Sequence, residues 1–150
     1  AFREEGKRSM EKRFKRLCKA HAAWEKKPSD QSLHEVRKDF KKLRYVCESF
    51  SEEFGKKLDA FIKELKSAQN TLGDWNDLRV LRAYVSQAAV HIGEGSPITT
   101  RGGRLAQHGF TPLRETLDNR ILELENAIHE ETKPFFGGRG KRHLEDALGS

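Results

Sequence analysis

His34, Arg37, Lys41 and Arg44 follow one another at intervals of three and four residues, the spacing that stacks side chains along one face of a helix. At about 100° per residue they fall within roughly 80° of each other, and Lys38 and Tyr45 extend the same strip. Cations stacked this closely repel one another unless an anion lies over them. A run of ten residues gives a strip about 15 Å long, which suits a linear polyanion better than a point ligand. Each side chain brings its own chemistry: Arg a fork for two phosphate oxygens, Lys a mobile point charge, His a donor that becomes a cation near its ordinary pKa of about 6.5.

The strip borders the apolar face of its own helix. Leu33, Val36, Phe40, Leu43, Val46, Cys47 and Phe50 make one arc of about 140°, so the basic strip is expected to face a groove between helices. A second basic set, Arg8, Lys12, Lys15, Arg16 and Lys19, lies opposite the apolar stripe of an earlier helix and reads as a solvated face. Nearly every aromatic residue falls on an apolar stripe, and only Tyr45 shares the basic strip. Binders of single-stranded nucleic acid lay bases on exposed aromatic rings. Phosphate contacts without such platforms favour a polyanion made of phosphate alone.

The elements that must position the strip are legible from periodicity. Residues 3–27 carry Met10, Phe14, Leu17 and Trp24 at helical spacing and predict a first helix. After a Lys-Lys-Pro-Ser-Asp turn, Ser29 or Asp30 is placed to cap the strip's helix, which runs to about residue 50. Ser51 opens a third helix with Phe54, Leu58, Phe61, Leu65, Ala68 and Leu72 on one face. Gly73 is placed as a C′ glycine and Asp74 as the cap of a fourth helix over residues 75–92. Residues 93–109, with five glycines and Pro97, read as a loop. Thr111-Pro112 reads as a cap and first helical position opening a last helix whose Leu113, Leu117, Ile121, Leu124 and Ile128 form one stripe. No segment alternates with period two. The expected fold is all-α, an antiparallel bundle of four to five helices with a Gly-rich loop before the last, spanning residues 1–136, followed by a mobile basic and glycine tail over 137–150.

Composition bounds the function. The chain has 150 residues, 35% hydrophobic and 35% charged, with a net charge of +6, which fits one domain with a modest core. Residues 1–50 hold 15 Lys or Arg against 8 Asp or Glu, whereas residues 51–150 hold 14 against 15, so the basic excess lies wholly in the first third. No run approaches the ~18 apolar residues of a membrane span, and no apolar signal segment follows Ala1. Cys18 and Cys47 lie outside any zinc or disulfide pattern and read as buried thiols of a cytoplasmic protein. No metal or cofactor site is signalled: the other five histidines are scattered, and His21 sits on an apolar stripe as a core histidine. Gly137-Gly138-Arg139-Gly140-Lys141 lacks the glycine spacing and preceding strand of a P-loop. No paired carboxylates or Cys/His arrangement suggest an enzyme.

Two motifs, Leu33-His34-Glu35-Val36-Arg37 continuing to Lys41-Lys42-Leu43-Arg44-Tyr45, and Gln69-Asn70-Thr71-Leu72-Gly73-Asp74-Trp75-Asn76-Asp77-Leu78-Arg79-Val80, together resemble the CHAD family, the conserved histidine α-helical domain. The resemblance covers about residues 7–136. It implies a helical bundle whose basic groove binds inorganic polyphosphate, often at polyphosphate granules, without catalysis. On the matching positions His34, Arg37, Lys41 and Arg44 would contact phosphate, with Lys38 and Lys42 as additions and Lys66, Arg79 and Arg82 as further contacts. Asn76 and Asp77 would be structural, capping a helix or holding a groove arginine, with Tyr45 beside the strip. Members of the family usually carry two such repeats, and this chain resembles the second. It is expected either to be a C-terminal portion or to complete its groove as a homodimer. Two rivals stand beside this: nonspecific nucleic-acid binding, on charge, and histidine phosphotransfer on His34, where Arg37, Lys38 and Lys41 crowd the space a partner would need.

Overall fold

A computed structural model describes residues 1–95 and 101–149 of the chain, and the side chains of 1–91 and 109–149. The described residues are helical with no strand: α1 (Phe2–Lys26), α2 (Asp30–Ser49), α3 (Ser51–Phe54), α4 (Lys56–Gly95), α5 (Arg101–Pro134) and, after a bent turn at Phe135–Arg139, α6 (Gly140–Ala147). No helix among them is long and apolar enough to cross a membrane.

Local sequence explains the first hairpin. Met10, Phe14, Leu17 and Trp24 recur every three, four or seven residues along α1 and are buried. Pro28 follows the end of α1, and Ser29 starts α2 with a reciprocal cap. The Ser32 N–H donates to Ser29 Oγ at 3.0 Å and the Ser29 N–H donates to Ser32 Oγ at 2.9 Å, satisfying two donors that a helix end leaves open, at about 1 kcal/mol per cap. Leu33, Val36, Phe40, Leu43 and Cys47 then line the buried face of α2.

The chain divides into two compact units, one of Ala1–Leu72 with Ile128–Ser150 and one of Gly73–Ala127. In the first, an aromatic hub joins the helices. The Phe135 ring lies 5.9 Å from Phe14 of α1, 5.7 Å from Phe40 of α2 and 6.0 Å from Phe61 of α4. Such pairs add about 0.5–1.5 kcal/mol each beyond their burial. Phe136 stacks on His21 at 3.7 Å, and burial lowers the His21 pKa. In the second unit Trp75 and Val85 of α4 and Leu117, Ile121 and Leu124 of α5 are buried, and Trp75 Nε1 donates to Glu125 at 3.1 Å.

Five expectations are corrected. The helix opening at Ser51 is interrupted after one turn by Gly55, at φ 74°, and Phe54 packs under the Arg3 guanidinium instead of joining the core. Gly73 and Asp74 do not end and restart a helix: α4 runs through them, because buried Leu72 and Trp75 reward continuing the turn more than the ~1 kcal/mol that a mid-helix glycine costs. Residues 101–109, read as loop, are helical, and α5 passes through Pro112. A proline removes one hydrogen bond from the ladder, and the turns on either side carry the helix on. Residues 96–100 of that expected loop lie outside the described residues. Leu113, placed on the core stripe, is 43% exposed.

The tail is the fifth correction. Residues 140–147 form α6, with Leu144, Ala147 and Leu148 buried, a helical spacing hidden among glycines and charges. Gly138 takes φ 118°, open to glycine at no steric cost, and turns the chain so that α6 belongs to the first unit. Arg139 Nε donates to Glu64 at 2.9 Å, His143 Nδ1 lies 2.8 Å from the same carboxylate, and Lys57 pairs with Asp146 at 3.0 Å. Charges read as a solvated tail are clasps onto α4. Cys47 is buried, as expected, and its pKa is pushed up to about 12 by desolvation; Cys18 is half-buried, and burial raises its pKa too.

Continuity of α4 is testable at one position. Gly73 has open space where a Cβ would stand and is not among the positive-φ glycines. Gly73→Ala should therefore stabilise the fold by about 0.5–1 kcal/mol in urea unfolding, whereas a C′ glycine would make the same change destabilising.

Candidate anion-binding site

The buried face of α2 dictates where its cations point. With Phe40 wholly buried, the 100° step places the strip at the margin of the core. His34, Arg37, Lys38, Lys41 and Arg44 are all part-buried there, whereas Lys42 is exposed. On α1, by contrast, Arg8, Lys12, Lys15, Arg16 and Lys19 are exposed, as a solvated face requires. Position relative to the core separates two basic helix faces of similar composition.

Partners divide the strip further. Glu35 takes Lys38 at 2.7 Å and a hydrogen bond from Gln31 at 3.1 Å. The Lys38 hydrogen bond, first among the causes, holds the Glu35 carboxyl below the usual glutamate range. At the other end Glu48 lies 3.9 Å from Arg44 Nε and 3.3 Å from Lys66 Nζ of α4. Between these two acids stand Arg37 and Lys41, which have no carboxylate partner among the described residues. Arg37 Nε is buried and donates no hydrogen bond to a described residue. Lys41 Nζ sits 5.7 Å from the Tyr45 ring, and the Arg44 guanidinium 4.9 Å from it. Tyr45 is 46% exposed, yet two cations already hold its ring, attractions worth about 0.5–1 kcal/mol each at the surface.

The candidates after Gly73 belong to the second unit. Arg79 Nη2 donates to Asn76 at 3.3 Å and its guanidinium lies 5.3 Å from the Trp75 ring, so Asn76 orients an arginine from within α4 and does not cap a helix. Arg79 Nε is buried without an acceptor among the described residues. Arg82 pairs with Asp118 of α5 at 3.4 Å. Asp77 is exposed and contacts none of these cations.

Two acids at the site, Glu35 and Glu48, were passed over in the reading from sequence. Their helical intervals, Glu35 three before Lys38 and Glu48 four after Arg44, are a signal that ion pairing along one helix was available to find. The Glu48 bridge to Lys66 carried no such signal, since it joins two helices.

What the arrangement offers is a line of donors with partly compensated charge. It supplies no nucleophile held by a base, and among the described residues no three His, Cys, Asp or Glu side chains gather as a metal ion would need.

A family model described as CHAD domain matches residues 1–86, which takes in α1, α2, α3 and α4 as far as Ser86. The part of the motif resemblance beyond residue 86 lies outside this match. No curated protein and no solved structure matches the chain.

The Lys38 contact can be tested by titration. Because the Glu35 pKa is depressed, the pair is intact above the ordinary glutamate pKa and is lost as pH falls through the depressed one. Lys38→Met should return the Glu35 midpoint upward to the ordinary range in a carboxyl-carbon NMR titration; an unmoved midpoint would assign the depression to another group.

Proposed function

The chain belongs to the CHAD family, and from that premise we propose that it is a non-catalytic binding module for inorganic polyphosphate, held along the α2 strip. The observation that carries the proposal is the pair Arg37 and Lys41: part-buried cations without a carboxylate partner among the described residues, Arg37 with a buried Nε–H that meets no acceptor there. A buried donor left unsatisfied costs about 1–3 kcal/mol, more when charged. A phosphate oxygen removes that cost and adds a charge-assisted bond, and a neighbouring phosphoryl group along the polymer reaches Lys41, one helical turn further on. His34 and Arg44 extend the contact at either end. Lys38 is held by Glu35 and serves less directly, and Lys42 adds charge from the exposed side. Arg79, held by Asn76 and Trp75, and Arg82 belong to the second unit and are proposed as separate phosphate contacts there.

Nucleic acid offers the same phosphates, but a single strand would also need rings to stack on, and Tyr45 is engaged by Lys41 and Arg44. The protein would accordingly act in the cytoplasm, at polyphosphate granules.

Charge reversal tests the strip against bulk electrostatics. Arg37→Glu with Lys41→Glu should weaken binding to long-chain polyphosphate at least tenfold, since two charge-assisted contacts of about 1.5–3 kcal/mol are removed. Lys12→Glu with Arg16→Glu changes net charge equally and should cost much less; equal losses would mean diffuse attraction with no site. Excess duplex DNA should fail to displace the polymer at matched phosphate concentration. Displacement would turn the assignment toward nonspecific nucleic-acid binding.

A further inference from the structure

We propose that Glu48 is an internal counter-anion that ends the strip, competing with the bound polymer for Arg44 and Lys66; the inference rests on polyphosphate binding by α2. Glu48 is the carboxylate placed between the two cations, 3.3 Å from Lys66 Nζ and 3.9 Å from Arg44 Nε, and its side chain is 36% exposed. The three residues come from the end of α2 and from α4 within one compact unit, so the bridge joins two helices at the strip's far end. Two positive charges and one negative leave that end with half its nominal charge. Upstream, Arg37 and Lys41 carry theirs uncompensated.

A polymer lying along α2 therefore meets uncompensated positive charge at Arg37 and Lys41, four residues or about 6 Å apart at 1.5 Å per residue. To run on to Arg44 and Lys66 it must displace a carboxylate already in place. Exposed ion pairs are weak, so the displacement is feasible and its cost is modest. Glu48 thus sets how many phosphoryl groups the chain engages, and its removal opens a path from α2 onto α4.

The dependence on polymer length separates this from a general charge effect. Tripolyphosphate is short enough to be served by Arg37 and Lys41 alone, so losing Glu48 should scarcely affect it. A long chain gains the newly opened cations. Calorimetric titration of the whole chain should show Glu48→Gln tightening long-chain polyphosphate about two- to tenfold, the range expected for freeing weak surface pairs, with tripolyphosphate changed less than about twofold. The salt dependence for the long polymer should steepen by about one to two, one for each added cation engaged. Adding Lys66→Ala to Glu48→Gln should remove most of the gain. Glu123→Gln makes the same change in net charge at an exposed pair with Arg120 and should give no length-dependent gain.

Equal tightening of both ligands by Glu48→Gln, or a matching gain from Glu123→Gln, would overturn the proposal in favour of bulk charge. Binding of polyphosphate by the wild-type chain with no gain from Glu48→Gln would overturn this inference alone. Failure of the wild-type chain to bind either ligand would overturn the function proposed above as well.

Discussion

Burial of Phe40 against Phe135 and Phe136 sets the rotation of α2, and the rest of the first unit follows from that rotation. Phe40 has no exposed surface, and its ring meets Phe135 at 5.7 Å and Phe136 at 5.8 Å. A helix rotated by one residue, about 100°, would lift Phe40 toward water and press Lys41 into the core. Unpaired charge in an apolar interior costs several kcal/mol, so the alternative rotations are closed. The cations at positions 37, 41 and 44 consequently lie at the core margin, part-buried but open to an anion. Phe135 can act as this wedge because the chain turns at Gly138 and α6 is clasped back through Glu64.

Electrostatic compensation refines what packing sets out. A basic helix face left bare would lose stability to its own repulsion. Here Glu35 pairs with Lys38 and Glu48 with Arg44, while Arg37 and Lys41 have no carboxylate partner among the described residues. The uncompensated pair sits where burial weakens solvent screening, so an anion gains more at Arg37 and Lys41 than on the exposed α1 face, which salt and water screen. Charge count alone does not distinguish the two faces. Depth and partners do.

The placement of the candidate strip was legible in the sequence. The period of Leu33, Val36, Phe40, Leu43 and Cys47 identified the buried face of α2, and the intervals from His34 to Arg44 identified the strip, because both depend only on the geometry of one helix. The cap at Ser29 was local in the same sense. Boundaries that depend on competition between a local signal and distant packing were misread: Gly73 as a stop, Pro112 as a start, residues 137–150 as a tail. In each, a residue with a strong turn or breaker preference is overruled by burial of neighbours such as Leu72, Trp75 and Leu144, whose partners lie far away in sequence or on another helix.

By itself, then, the sequence determined that the chain is helical, that its basic excess sits in the first third, and which residues of α2 share a face, since periodicity and charge order are properties of a single strand of chain. Only the tertiary structure decided which acids bridge from one helix to another. Glu48 becomes a bridge when α4 brings Lys66 within 3.3 Å, and Glu64 becomes a clasp when the bend at Gly138 returns Arg139 and His143 to it. Coulomb interactions depend on distance through space, and separation along the chain does not set that distance until the helices pack.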